Sequence, residues 1–253
     1  MPVTFKALAI PYFCIMKKIY LLTALCLVGI LSVKSQTHLL QSSWLMWVHN
    51  QSLSAKNSIN LDFQVRSTEQ FDDVKNFLIR TSFNHSITKN LSATLGYSYF
   101  NTQVKVTESQ KSSLSENMIW EQFATQHKIN NLNVIGRIRL EQRFIEQQQL
   151  SIFTQRIRFF VRTVIPITKS ESKGFTKGNY IALQEEVFFN VQNKNQLNTH
   201  FYDQNRISIN IGYKFNPKVN LEAGYLYQSI QKKLGTTHNN IFQIVLFTKL
   251  KNK

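Results

Sequence analysis

In two neighbouring stretches, Asn133 to Phe144 (NVIGRIRLEQRF) and Ser151 to Ile165 (SIFTQRIRFFVRTVI), charged and apolar residues alternate almost position by position. Arg137, Arg139, Glu141 and Arg143 share one parity in the first stretch, and Ile138, Leu140 and Phe144 share the other, with Gln142 the one polar residue among them. In the second stretch Arg156, Arg158 and Arg162 oppose Ile157, Phe159 and Val161. Side chains of a strand alternate between faces with a period of two, whereas a helix would scatter these residues around its circumference. The pattern therefore demands strands with one apolar face and one face of guanidinium groups.

The same alternation recurs along the chain. Ile59, Leu61, Phe63 and Val65 oppose Asn60, Asp62, Gln64 and Arg66; Ile207, Ile209, Ile211 and Tyr213 oppose Arg206, Ser208, Asn210 and Gly212. Further strands are expected over Phe77 to Ile87, Leu91 to Tyr99 and Leu221 to Tyr227. Less regular ones are expected over Ser43 to Asn50, Leu114 to Lys128, Tyr180 to Val191 and Asn240 to Leu250. Short polar connections near Ala55 to Asn57, Thr88 to Asn90, Ile129 to Asn131 and Asn216 to Lys218 alternate with longer ones. Lys169 to Gly178 is long where that rhythm calls for a short turn. The rhythm is that of an up-and-down antiparallel transmembrane β-barrel. Eleven strand candidates emerge, and because bacterial single-chain barrels have even strand numbers, the expectation is ten strands without Ser43 to Asn50, or twelve with one more.

The N-terminal region points to export. From Met16 the chain reads two lysines, an apolar run from Ile19 to Val33, and Val33 and Ser35 placed for signal-peptidase cleavage. This reads as a signal peptide ending at Ser35, with residues 1–15 a mis-called upstream start and the barrel occupying 36–253. The run is shorter than the ~20 apolar residues that a spanning helix requires. Cys26 follows Leu25, where a lipoprotein signal needs a small residue, and Cys14 and Cys26 both leave with the signal. A cysteine-free exported chain uses neither disulfides nor a thiolate nucleophile or metal ligand.

Charge carries the next step. The full chain has 30 basic and 14 acidic residues; loss of Lys6, Lys17, Lys18 and Lys34 leaves 26 against 14, a net charge of +12. In the cytoplasm that balance would suggest nucleic acid. For an exported chain the expected partners are outer-membrane lipid and lipopolysaccharide, the barrel-assembly machinery and small anionic solutes, with no nucleic acid. The expected location is the outer membrane of a Gram-negative bacterium.

A secreted soluble barrel would show the same alternation. Strand length, the aromatic residues Trp44, Trp47, Tyr97, Tyr99, Tyr213, Phe215, Tyr225 and Tyr227 near strand ends, and the loop rhythm favour the membrane. A midplane arginine on the lipid side costs about 2–4 kcal/mol, so the arginine face must be the lumen. Arg66, Arg80, Arg137, Arg139, Arg143, Arg156, Arg158, Arg162 and Arg206 are expected there, with Asp62, Glu141, Glu186 and Glu222 as counter-charges.

The blocks RIRLEQRF (Arg137 to Phe144), QRIRFF (Gln155 to Phe160), DQNR (Asp203 to Arg206), GYKFNP (Gly212 to Pro217) and EAGYLYQ (Glu222 to Gln228) resemble a family of Bacteroidetes outer-membrane barrels catalogued as a domain of unknown function. The likeness runs from about Trp44 to the C-terminus. It implies an outer-membrane location and supplies no activity. The tail LKNK departs from the terminal aromatic common in barrels, and Phe247 is the nearest substitute.

Two readings of the arginine face follow. It can draw anions through a narrow channel, or it can be neutralised by carboxylates in a closed structural barrel. An outer-membrane lipid hydrolase or acyltransferase is the alternative from another class. His85 and Ser86 are the candidate residues for it, but adjacent strand residues point to opposite faces and cannot act as nucleophile and base. Glu185 and Glu186 fail as an acid–base pair for the same reason. His127, His200 and His238 lack metal-ligand spacing, and no phosphate loop or dinucleotide fingerprint is present. No cofactor is expected.

Overall fold

A computed structural model describes residues 37–69, 71–105, 111–147, 150–168 and 175–251. The signal segment read at 1–35 lies outside them. The chain forms β1 (Thr37–Ser52), β2 (Asn57–Ser67), β3 (Val74–Ser86), β4 (Leu91–Lys105), β5 (Lys111–Ile129), β6 (Leu132–Gln147), β7 (Leu150–Pro166), β8 (Gly178–Gln192), β9 (Tyr202–Asn216), β10 (Val219–Gln231) and β11 (Thr236–Lys251). Each strand pairs antiparallel with the next, and the sheet closes on itself.

The strand number corrects the expectation of ten or twelve. Ser43 to Asn50 belongs to the wall as part of β1, and the described residues close the barrel with eleven strands. A meander with an odd number of strands brings its first and last strands together in the same direction, so the closing pair β1 and β11 is parallel, in register from Thr37↔Thr236 to Ser52↔Lys251. Strand parity can be read locally along a sequence; the closure direction depends on the total and cannot.

The barrel has two distinct ends. At one, which we call the turn end, strands are joined through 53–56, 87–90, 130–131, 167–177 and 217–218. Asn130 takes φ 54° in one of the two two-residue turns, a left-handed conformation that Asn adopts more readily than most side chains. The opposite, loop end carries the connection 193–201, which includes a 3-10 turn at Lys194–Gln196. Within it Asn198 is buried, hydrogen-bonded to Asp203 Oδ1 at 3.0 Å and to the Gln231 carbonyl at 3.0 Å.

Apolar side chains cover the outer face. Ile207, Ile209 and Ile211 on β9, Leu221 and Tyr225 on β10, and Phe242, Ile244 and Leu246 on β11 are exposed, whereas their alternates Ser208, Asn210, Glu222 and Gln243 are buried. The polar set is thus inside and the apolar set outside, the reverse of a water-soluble barrel. Among the described residues no helix is long and apolar enough to cross a membrane, which leaves crossing by strands untouched. Three carboxylates interrupt the outward parity, each held by a neighbour: Gln142 Nε2 donates to Glu121 at 3.0 Å, Asn205 Nδ2 to Glu185 at 3.1 Å and Ser115 Oγ to Glu146 at 2.8 Å.

Trp44 departs from the expected outer aromatic set. It shares parity with Ser42 and is buried against Leu226 and Ile241. Trp47, two positions before His49, stays outside, donating through Nε1 to Thr248 Oγ1 at 2.9 Å.

Candidate functional site: the charged interior

Inward-facing residues from β6, β7, β8 and β9 meet in a continuous chain of alternating charge. Asp203 Oδ2 lies 3.1 Å from Arg156 Nη1; Arg156 Nη2 lies 2.6 Å from Glu141 Oε2; Arg158 Nη1 lies 2.5 Å from Glu141 Oε1 and its Nη2 2.8 Å from Glu186 Oε1. Arg137 closes the chain on Glu186. Glu141 is 1% exposed and is the hub, since both its oxygens accept from guanidinium groups; Arg139 Nη1 lies further off, 3.8 Å from Oε1. Charge-assisted bonds of this kind are about twice as strong as neutral ones.

Three further pairs stand apart. Arg80 bonds Asp62, with Nε to Oδ2 at 3.1 Å. Arg143 is bidentate on Glu116, with Nη2 to Oε2 at 2.9 Å. Arg162 bonds Glu222, which also accepts from the Tyr180 hydroxyl at 2.7 Å, and Arg162 Nη1 donates to Gln184 at 2.8 Å. Arg139 turns its fork onto Gln122 Oε1, at 2.8 and 3.1 Å.

Arg66 and Arg206 form no ion pair among the described residues. Arg66 donates to Gln64 Oε1 at 2.8 Å and leaves its Nε without a partner. With the Gln228 amide turned so that its oxygen faces Arg206, that oxygen accepts from Nε and Nη2 at 3.2 Å. Both cations lie against the same indole: Arg66 Cζ is 3.7 Å and Arg206 Cζ 5.2 Å from the Trp44 ring centroid.

Beside the four carboxylates expected in the interior, Glu116 and Asp203 pair with its arginines, and period two does not reveal either. Glu116 lies on β5, where both parities mix polar and apolar residues and period two gives no orientation. Asp203 sits where the β8–β9 register shifts between Phe188 and Phe189, and a bulge of this kind re-aims a side chain against simple alternation. The inward rings were missed as well. Trp120 donates to Ser98 Oγ at 2.9 Å and carries Arg139 Cζ 3.9 Å above its ring, while Phe188, fully buried, has Arg158 Cζ at 4.4 Å and Arg206 Cζ at 4.7 Å.

Two glycines make room for this filling. A Cβ on Gly96 would stand 2.2 Å from Trp120, and one on Gly212 2.3 Å from Tyr180. Both rings therefore pack directly against the wall of the neighbouring strand, and Arg139 lies over that of Trp120.

Three cavities are lined by the described residues. A cavity of about 720 Å³ opens at the loop end and is lined by nine basic side chains, among them Lys75, Lys232 and Lys233, against four acidic ones. A chamber of about 130 Å³ adjoins it, sharing Trp44, Arg66, Arg80, Arg158 and Arg206. At the turn end a polar cavity of about 450 Å³ shares no lining residue with either. Tyr180, Glu222 and Asn210, each at most 3% exposed, line none of these cavities.

The other candidates are scattered. His85 bonds Asn57 Oδ1 at 2.7 Å on the outer face, and Ser86 lines the turn-end cavity, so the wall separates them. His238 bonds the Tyr227 hydroxyl at 2.7 Å, and Asn198 accepts from the His200 backbone N–H. Among the described residues no cluster of three or more His, Cys, Asp or Glu side chains could hold a metal ion.

One family model, described as Protein of unknown function (DUF2490), matches residues 41–239. No curated protein and no solved structure matches the chain.

Proposed function

Because the chain belongs to the DUF2490 family, which carries no assigned activity, we propose a function from the barrel itself: an outer-membrane barrel with a blind, anion-attracting vestibule at its loop end. The observation that carries this reading is the division of the interior. The basic cavity and the turn-end cavity share no lining residue, and the chain from Asp203 to Arg137 with the Arg162–Glu222–Tyr180 cluster stands within the barrel. Small barrels are filled by their own side chains, and a buried network of paired ions rigidifies the interior it fills. The excess of cations over carboxylates in the vestibule then acts on what enters it, concentrating anions as a charged cleft with low-dielectric walls does.

The setting follows from the outer face. Its apolar residues would meet outer-membrane lipid and lipopolysaccharide, insertion would use the barrel-assembly machinery, and residues 1–35 would direct export in a Gram-negative bacterium, of the Bacteroidetes by the sequence blocks quoted above. With the short turns facing the periplasm, the vestibule opens outward. Small anionic solutes are its natural occupants.

Single cysteines test the division, in a chain with Cys14 and Cys26 replaced by serine. Ile230→Cys lines the vestibule and Asn84→Cys the turn-end cavity. In oriented vesicles a membrane-impermeant thiol reagent should reach each position from one face only, and from opposite faces. At Ile230→Cys an anionic methanethiosulfonate should react several-fold faster than a cationic one of the same size. Modification of both positions from both faces would mean a continuous path.

A further inference from the structure

The nine interior arginines are not equivalent, and the two without carboxylates are the two that stand together at the inner end of the vestibule. Arg66 comes from β2 and Arg206 from β9, on opposite sides of β1, yet both guanidinium groups lie against Trp44 of β1. Arg206 is also held by Phe188 at 4.7 Å, and Arg66 by Phe100 at 5.4 Å. Stacking fixes the plane of a guanidinium group and leaves its N–H edge available. Here that edge is under-used: Arg66 Nε has no partner, and Arg206 meets only a neutral amide.

Two confined cations without counter-ions are costly, since a buried charge is normally paired. Arg80, one strand from Arg66, has Asp62, and Arg158 has Glu141 and Glu186. An anion arriving from the vestibule would supply what the protein leaves out, by the bidentate geometry through which arginine recognises carboxylate and phosphate.

The vestibule above this pair is not uniformly polar. Leu78, Phe100 and Met118 form an apolar patch on β3 to β5, and Leu40 and Ile230 line the cavity from β1 and β10. Its volume of about 720 Å³ lies in the range of roughly 300–1,000 Å³ that holds small ligands. We propose that Arg66 and Arg206, aligned by Trp44, bind the head of a small organic anion, one carboxylate or phosphate group carried on an apolar body that lies along the Leu78–Phe100–Met118 wall.

This rests on the blind-vestibule reading and deepens it. The test is calorimetric titration of the detergent-purified protein with 2-naphthoate, 2-naphthyl phosphate, inorganic phosphate and neutral 2-naphthalenemethanol, each against a detergent blank. One of the two naphthyl anions should bind saturably, and which one does identifies the head group. Arg66→Gln and Arg206→Gln should each weaken it at least tenfold, and Arg66→Lys, which keeps the charge without the planar fork, should fall between. Both glutamine variants remove a cation that forms no ion pair, so the β-sheet circular dichroism should be retained; should Arg66→Gln not fold, Arg206→Gln and Arg66→Lys carry the comparison. Saturable binding by neither naphthyl anion, equal affinity in the variants, or inorganic phosphate binding as tightly as its naphthyl ester would overturn the proposal. One-sided cysteine modification combined with no binding overturns this site alone, whereas modification from both faces overturns the vestibule.

Discussion

Glu141→Gln is expected to lower the folding free energy by about 3–5 kcal/mol, the cost of removing one partner from a buried ion network. Both oxygens of Glu141 are engaged by Arg156 and Arg158, and Arg139 Nη1 lies 3.8 Å away. A neutral amide cannot balance three guanidinium groups, and its NH2 would point donors at donors. Urea titration of the protein in lipid vesicles gives the number. The control is a double replacement of a pair outside the network, Arg143→Met with Glu116→Leu. Exchanging a whole pair for apolar groups of similar volume is often neutral or stabilising, so this variant should lie within about 1 kcal/mol of the native protein or above it. If Glu141→Gln were as mild as the double replacement, the interior would be wet enough to screen its charges, and the vestibule would not be blind.

The second large effect belongs to the outer face. Ile209 is the middle residue of β9, is 51% exposed, and lies between exposed Ile207 and Ile211. If that face meets lipid, Ile209→Arg places a guanidinium group at the bilayer midplane at a cost of about 2–4 kcal/mol, while Ile209→Leu is neutral. If the face meets water, the arginine changes stability by no more than about 0.5 kcal/mol, as exposed surface substitutions do. The same urea titration separates the two. Because the apolar set is outside and the polar set inside, the larger value is expected.

Period two is enough to read strands wherever one parity is mostly apolar. Over Ser58 to Arg66 of β2 and Arg206 to Phe215 of β9 the two faces separate cleanly, on β6, β7 and β10 they do so with Gln142, Gln155, Phe160 and Leu226 among the exceptions, and the structure has strands there. On β5, Glu116, Met118 and Trp120 alternate with Asn117, Ile119 and Glu121, so both faces carry acid and apolar residues and alternation does not say which is inside. Pairing is harder still to read. Asp203 and Arg156 belong to strands separated by β8, and Arg162 and Glu222 to strands separated by β8 and β9. Such cross-lumen partners depend on barrel size and on bulges such as the one at Phe188, neither of which leaves a periodic trace. Trp120 and Tyr180 carry one retrospective signal: each faces a glycine, Gly96 or Gly212, on an adjacent strand. Counting the strand candidates gives the odd number, eleven, directly, and only the even-number rule of bacterial barrels argues against it; what leaves no local signal is the parallel closure of β1 on β11.

The most direct measurement is the conductance of refolded protein in a planar bilayer under a salt gradient, with insertion verified independently. A barrel whose loop-end and turn-end cavities do not connect should give no discrete steps. Discrete steps with an anion-selective reversal potential would contradict that account and show an open path lined by the arginine face.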